Sequence, residues 1–263
     1  MGGLGALVAS IMLTKHHGLG NDFLIAVNPP APLGPGQAIQ WCDRRRGLGA
    51  DGLIAATRTG SDGAGGPQTW AMTLWNADGS RAELSGNGLR CLGQALVLHH
   101  DEGRTSTSFE VETDAGMRTV EVHPDRSSQT DDVTVDMGRA QLGPPPSPRW
   151  GELGVGVHRQ VGIDIGNPHL VALVDDVNAV DLAAVGPRVE GDYPAGINVE
   201  LITVINRSQI QLRVWERGVG ITDACGSGAC AAAWAANQWN LVDSEVRVDM
   251  PGGSATVAID RDA

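Results

Sequence analysis

Aromatic residues are scarce in this chain of 263 residues, which holds one tyrosine and two phenylalanines beside seven tryptophans. Its core must come mainly from Val, Leu, Ile and Ala, and with 36 glycines the composition favours short strands joined by tight turns. Lysine is scarcer still: Lys15 is the only one, so pyridoxal phosphate would have to form its Schiff base there. Basic residues gather only at Arg44, Arg45 and Arg46 in a chain of net charge −12, which leaves no footprint for nucleic acid or an anionic membrane. Long apolar runs are missing. The opening GGLGALVASIML is far too short to span a bilayer, and no Lys or Arg precedes it as in a signal peptide. Residues 1–11 read as an extension, with Met12 as the more natural start. The four cysteines, Cys42, Cys91, Cys225 and Cys230, show neither CxxC nor zinc-ribbon spacing, so free thiols in a reducing cytoplasm are expected. There is no P-loop, no HExxH and no GxGxxG set between a strand and a helix with the expected acidic residue beyond it, and the histidines lack metal-ligand spacing. Thiol chemistry without metal or cofactor is the simplest reading.

What the chain does have is a series of β-branched runs bounded by turn residues: DFLIAV, DGLIAA, WAMTLW, SFEVET, RTVEVH, DVTVDM, HLVALV, NVELITVI, IQLRVW, VRVDM and ATVAI. These predict strands. Helices are expected over residues 36–45, in LRCLGQALVLHH after Gly88, over residues 179–188, and in ACAAAWAANQWN after Gly228. HPDRSSQTDD and LGPPPSPRW read as loops.

The order of elements repeats. An offset of 140 residues carries Trp75 onto Trp215, Ser85 onto Cys225, Gly86 onto Gly226, Gly88 onto Gly228 and Ala95 onto Ala235, and GNDFLIAV from Gly20 matches GNPHLVAL from Gly166. Two domains of like topology follow, an α+β chain divided at 12–115 and 116–263, their equivalent turns facing a shared cleft. Each turn, ELSGNGLRC and DACGSGAC, joins a strand to a helix start, where unpaired N–H groups and the helix dipole suit an anion. Cys225 at such a point is expected to favour its thiolate relative to an ordinary thiol of pKa about 8.5. Glu216 and Asp223 lie near it in sequence and His169 follows the GNP turn. Cys91 and Cys230 fall within the apolar helical pattern as core residues, and Cys42 has no evident partner. Close helix–strand packing is the competing explanation for the glycines.

The stretches HGLGNDF, CDRRRGLGADG, NADGS, SGNGLRC, DIGNPH, GINVE, ERGVG and ACGSGAC, in this order from Lys15 to Gly253, resemble the diaminopimelate epimerase family, part of a cofactor-independent amino-acid racemase and epimerase group. The resemblance implies two pseudo-symmetric, strand-rich, barrel-like domains, each wrapped around a central helix, with the active site in the cleft between them. It implies an isomerase that inverts one stereocentre of LL-diaminopimelate to give the meso form, for lysine and peptidoglycan synthesis. One cysteine from each domain flanks the reacting carbon, one taking its proton and the other supplying one. By the same resemblance Cys225 and Ser85 are the catalytic pair, Glu216 and His169 the polar groups that tune them, and Asn21, Asn76, Asn167, Asn198 and Arg217 the substrate-gripping set. The backbone amides of Gly86, Asn87, Gly226 and Ser227 form the carboxylate cradle. Turn formation is the competing role of the asparagines, and a surface role that of Arg217.

Ser85 stands where the family places its first catalytic cysteine. A hydroxyl does not ionise near neutral pH, so Ser85 cannot match Cys225 as a base unless a neighbour activates it. The alternatives are a Ser/Cys dehydratase or epimerase acting on hydroxyproline-like substrates, a non-catalytic amino-acid-binding relative, and a thiol hydrolase using Cys225 with His169. The family also continues past the point where this chain stops, with a strand that returns to the first domain. If that segment is absent, an edge strand of the first domain is expected to lie open, with dimerisation to a homodimer or an altered sheet edge as the ways to cover it.

Overall fold

A computed structural model describes residues 10–60, 68–100, 106–125, 127 and 130–260. The expected extension falls almost wholly outside them. The chain divides into two compact units, one of Met1–His16, Asp22–Ala82 and Arg90–Thr134, the other of His17–Asn21, Glu83–Leu89 and Val135–Ala263.

In the first unit the strands β1 (Thr14–Gly18), β2 (Asn21–Val27), β3 (Gly52–Arg58), β4 (Gln68–Asn76), β5 (Arg81–Ala82), β6 (Thr107–Thr113), β7 (Gly116–Pro124) and β8 (Asp131–Val135) form one sheet. Its order is β1-β2-β3-β4-β6-β7-β8, with β5 beside β4. The pairs β2/β3 and β4/β6 are parallel, and β3/β4 and β6/β7 antiparallel. The boundary expected after residue 115 falls inside a hairpin, because Thr113 pairs with Gly116 and the ladder runs back to Thr107 opposite Val122. The unit therefore extends to Thr134. Helix α1 (Pro35–Cys42) opens with Pro at its first turn, where a missing N–H costs nothing, and buries Ala38 and Cys42 with Leu24, Leu53 and Trp75. Burial pushes the Cys42 thiol up to about 11, with Asp22 and Asp51 adding to the effect. Helix α2 (Gly86–His100) sends Leu89, Leu92 and Leu96, fully buried, into the core, each contributing about 2 kcal/mol. Gly93 lets α2 lie on the sheet, since a Cβ there would stand 2.8 Å from Val120 and 2.9 Å from Val122.

The second unit repeats this plan with β9 (Gln141–Leu142), β10 (Arg159–Asp164), β11 (Pro168–Leu173), β12 (Asn198–Asn206), β13 (Gln209–Glu216), β14 (Gly220–Thr222), β15 (Glu245–Met250) and β16 (Gly253–Ala258). The order is β16-β15-β13-β12-β11-β10-β9, with β14 beside β13. Here β11/β12 and β13/β15 are the parallel pairs, the counterparts of β2/β3 and β4/β6. Strand alternation splits the residues between two faces. Leu170, Ala172, Val199 and Leu201 pack with Leu182, Val185 and Val189 of α3 (Leu182–Glu190). Val171, Ile202, Ile210 and Leu212 pack with the alanines of α4 (Gly226–Gln238). Alanine is the strongest helix former, and a side chain of one carbon allows α4 to touch β10, β11, β12, β13, β15 and β16 together. Both units are thus mixed, curled sheets around one central helix, an α+β fold. No helix of the described residues is long and apolar enough to cross a membrane.

Candidate active site

The strand parity that builds the second core also builds the site. His169 shares a face with Val171, Glu200 with Ile202 and Glu216 with Leu212, so all three side chains lie on the α4 side of the sheet. The parallel register sets His169 opposite Asn198 and Val171 opposite Glu200. Cys225 is the N-cap of α4, in extended conformation, and its Sγ accepts from Gly228 N at 3.3 Å and touches Ser227 Oγ at 3.5 Å. It is 5% exposed. Ser85 holds the same place on α2: its Oγ accepts from Gly88 N at 3.0 Å, and its carbonyl accepts from Leu89 N, as that of Cys225 does from Ala229 N. Ser85 and the first turn of α2 belong by their contacts to the second unit. There the two helix starts meet: a Cβ on Gly226 would lie 3.0 Å from the Cα of Gly86 and 3.1 Å from Asn87 N. Asn87 ties the junction, donating to Ala224 O at 3.1 Å and Asn21 Oδ1 at 3.3 Å.

The electrostatics differ from the sequence expectation. Burial, then the carboxylates of Glu216 and Glu200, push the Cys225 thiol well above its ordinary value, and the hydrogen bonds from Ser227 and Gly228 offset only part of this. The helix start does not make a resident thiolate, because desolvation and the two neighbouring carboxyl groups outweigh a dipole worth about 0.3–1 kcal/mol. Burial also raises Glu216, against hydrogen bonds from Thr222 and Cys225. Glu200 is fully buried in β12 between the apolar Val199 and Leu201; its Oε1 lies 2.7 Å from His169 Nδ1, and burial raises its carboxyl while His169 opposes the shift. Glu200 was not among the residues singled out from the sequence. The signal was there: NVELITVI places one carboxylate within an apolar run, two residues from Asn198.

The remaining candidates are mostly already engaged. Asn167 joins His169 Nε2 (2.9 Å) to Ser227 Oγ (3.4 Å). Asn198 is spent on the backbone, accepting from Arg217 N at 2.9 Å and donating to Pro168 O at 3.0 Å, so it positions Arg217. Arg217 Nη2 meets Glu83 Oε2 at 2.6 Å. Gly196, at φ +71°, gives the guanidinium its path: a Cβ would lie 2.6 Å from Arg217 Cγ. Asn21, Asn87, Asn167, Asn198, His169, Glu216, Arg217, Ser227, Ser85 and Cys225 thus share one unit. Asn76 lies in the other, as the last residue of β4, where its side chain donates to Ser80 Oγ. Asp223 is exposed and accepts from Gly252 N through its carbonyl. Lys15 is held by Asp22 and Gly49 O in the first unit.

The chain matches the diaminopimelate epimerase family over residues 13–143 and 161–263. It is 38% identical over 261 residues to the diaminopimelate epimerase of Nostoc punctiforme, covering 93% of this chain and 90% of that one. To that of Magnetococcus marinus it is 41% identical over 256 residues, with coverages of 92% and 87%. The chain belongs to the diaminopimelate epimerase family. As a member of this family it is an isomerase with a small amino-acid substrate. Among solved structures it resembles a hydroxyproline epimerase from Agrobacterium vitis with bound trans-4-hydroxy-L-proline (TM-score 0.71, 16% identity, 96% of this chain and 84% of that one). It also resembles a predicted epimerase from Pseudomonas aeruginosa (TM-score 0.70, 17% identity, 92% and 87%). At such identities the likeness is one of fold, and it matches the two curled units of this epimerase family member.

Proposed function

We propose that the chain interconverts LL- and meso-diaminopimelate by proton transfer at the α-carbon, without a cofactor, with Cys225 as principal acid/base and Ser85 at the opposing position. The observation that carries this is the paired capping of α2 and α4, an oxygen on one helix start and a sulfur on the other, at a junction where the two backbones touch. The substrate carboxylate is held by the first-turn amides of Gly86, Asn87, Gly226 and Ser227, which no helix can satisfy internally, and there they offset the charge that develops when the α-proton leaves. Arg217, Asn21 and Asn167 grip the rest of the substrate, and Asn198 holds Arg217.

In the resting site Cys225 is a thiol and so a ready proton donor. To act as base it must first give up its proton, and Glu216, hydrogen-bonded to it and raised by burial, is the acceptor within reach. Ser85 has no such capacity near neutral pH, so removal of a proton on the Cys225 face outruns exchange on the Ser85 face. Free thiols at Cys42, Cys91, Cys225 and Cys230 suit a reducing cytoplasm. Relatives at 38–41% identity carry the diaminopimelate epimerase name, whereas the hydroxyproline epimerase shares 16%, which favours diaminopimelate over a hydroxyproline. The test is incubation with LL-diaminopimelate in D2O, following α-deuterium and the meso isomer. Exchange at the α-carbon supports the reading. No exchange and no inversion, with elimination from a hydroxyproline instead, overturns it.

A further inference from the structure

The site contains one group that proton transfer at Cys225 does not by itself use. Glu200 is fully buried on β12, one oxygen 2.7 Å from His169 Nδ1, and α4 lies so close above it that a Cβ on Gly228 would stand 2.9 Å from Oε1. A carboxyl group placed there costs free energy that packing alone would not repay, and an apolar residue of similar size would fill the space at less cost. From His169 the contacts continue in one direction: Nε2 to Asn167 Oδ1 at 2.9 Å, Asn167 Nδ2 to Ser227 Oγ at 3.4 Å, Ser227 Oγ to Cys225 Sγ at 3.5 Å.

We propose that Glu200 is a positioning residue for the reaction: as a carboxylic acid it donates to Nδ1 of His169 so that Nε2 carries the imidazole's proton, and the resulting one-way chain of donors through Asn167 and Ser227 ends on the sulfur of Cys225. The direction follows from the acceptors. A proton on Nε2 makes Asn167 Oδ1 the acceptor, which leaves Nδ2 to donate to Ser227; with its lone pair so occupied, the Ser227 hydroxyl turns its own hydrogen to the sulfur. The anion formed when Cys225 loses its proton is then met by two donors, Ser227 Oγ–H and Gly228 N–H. With the proton on Nδ1 alone the chain reverses, and Ser227 points its hydrogen at Asn167. No proton has to travel along this chain; it acts by orientation.

The inference rests on Cys225 as the reacting group, and its test separates the two. In 15N-histidine-labelled full-length protein, His169, assigned by its loss in the His169→Gln variant, is expected to show a protonated Nε2 at neutral pH; a bare Nε2 overturns the proposal whether or not the protein turns over substrate. Ser227→Ala is expected to slow α-deuterium exchange about tenfold or more, with KM within about twofold and the alkaline limb of the rate profile moved to higher pH. The ionisable groups around Cys225 that shape this limb are Glu216 on β13, Glu200 on β12 and His169 on β11. Glu200→Leu, which cannot donate to Nδ1, is expected to lower kcat with KM little changed, and Glu200→Gln, whose amide can donate there, to retain most of it; folded Glu200→Leu or Ser227→Ala protein with unaltered kcat overturns the proposal. Should Glu200→Leu fail to fold, the nitrogen signature and Ser227→Ala decide. A wild-type protein with no exchange on diaminopimelate would refute the functional reading and leave the tautomer test standing.

Discussion

Replacing Ser85 with Cys puts sulfur on both helix starts. The position accepts it, because Cys225 already caps α4 in the geometry that Ser85 uses on α2, with Gly228 N at 3.3 Å from sulfur where Gly88 N is 3.0 Å from oxygen. A weaker cap should cost α2 about 1 kcal/mol at most. Ser85 is partly exposed, unlike the buried Cys225, so a thiol there escapes most of the desolvation that raises Cys225 and titrates nearer the ordinary value of about 8.5. At pH 8 roughly a quarter of it is thiolate, against a negligible alkoxide fraction for serine. A positioned general base contributes about 10²- to 10⁴-fold, or about 3–5 kcal/mol of barrier. Inversion of LL-diaminopimelate should therefore rise by that factor in S85C, measured by chiral separation of the meso isomer. Deuterium exchange on the Cys225 face should change far less. The reasoning is refuted if S85C folds and yet inverts no faster than wild type, for then the hydroxyl is not what limits the second proton transfer.

Three further outcomes follow from the same coordinates. Gly226→Ala should push the two helix starts apart, because the new Cβ meets backbone at 3.0 and 3.1 Å and backbone cannot yield as a flexible side chain does; exchange should fall at least about tenfold even though Ala normally favours a helix. Gly196→Ala combines a left-handed φ of +71° with a contact of 2.6 Å to Arg217 Cγ, so the guanidinium moves and KM for diaminopimelate should rise about tenfold while the exchange rate at saturation stays within a few-fold. In the first unit, burial pushes Asp22 up, but hydrogen bonds and charge from Arg44 and Lys15 hold it down at about 2. A depressed carboxylate stabilises the fold above its unfolded pKa near 3.9, and that contribution is lost as pH falls from about 4 towards 2. Screening at the exposed Arg44 and Lys15 reduces it to about 1 kcal/mol, and urea titrations of wild type and Asp22→Asn should converge at pH 2.5 and diverge at pH 6.

Much of this architecture was legible because it is periodic. The strand runs and the 140-residue repeat gave two units of one topology, and four helices appeared in the expected places, with α1 stopping at Cys42 and α3 starting at Leu182 after a short 3-10 turn at Val177–Ala179. Short strands escaped: β5 and β9 have two residues each and β14 three, too few for alternation to register, and RQVGID in β10 mixes polar and apolar residues without a clear period. The domain boundary was missed because pairing partners are not written in a local window. Nothing in GMRTVEVHP says that it folds back on TSFEVET.

The site shows the same division between what a motif names and what only packing decides. Cys225 was evident from its turn, but its protonation state was not, because the helix start visible in sequence favours the anion while the burial and the two carboxylates that oppose it come from β12, β13 and the core. The larger effect wins: desolvation of a buried thiol can shift it by several units, whereas a helix terminus supplies a fraction of one. A site built this way holds Cys225 ready to donate a proton and makes it a base only when Glu216 or the bound substrate changes the balance. Ser85, less buried and without an ionisable proton near neutrality, has no matching mode, so in the proposed reaction the two faces of the reacting carbon are chemically unequal. That inequality predicts a measurable order of events, solvent deuterium entering the LL substrate before the meso isomer accumulates; equal rates from the first turnovers would mean that oxygen and sulfur act alike here.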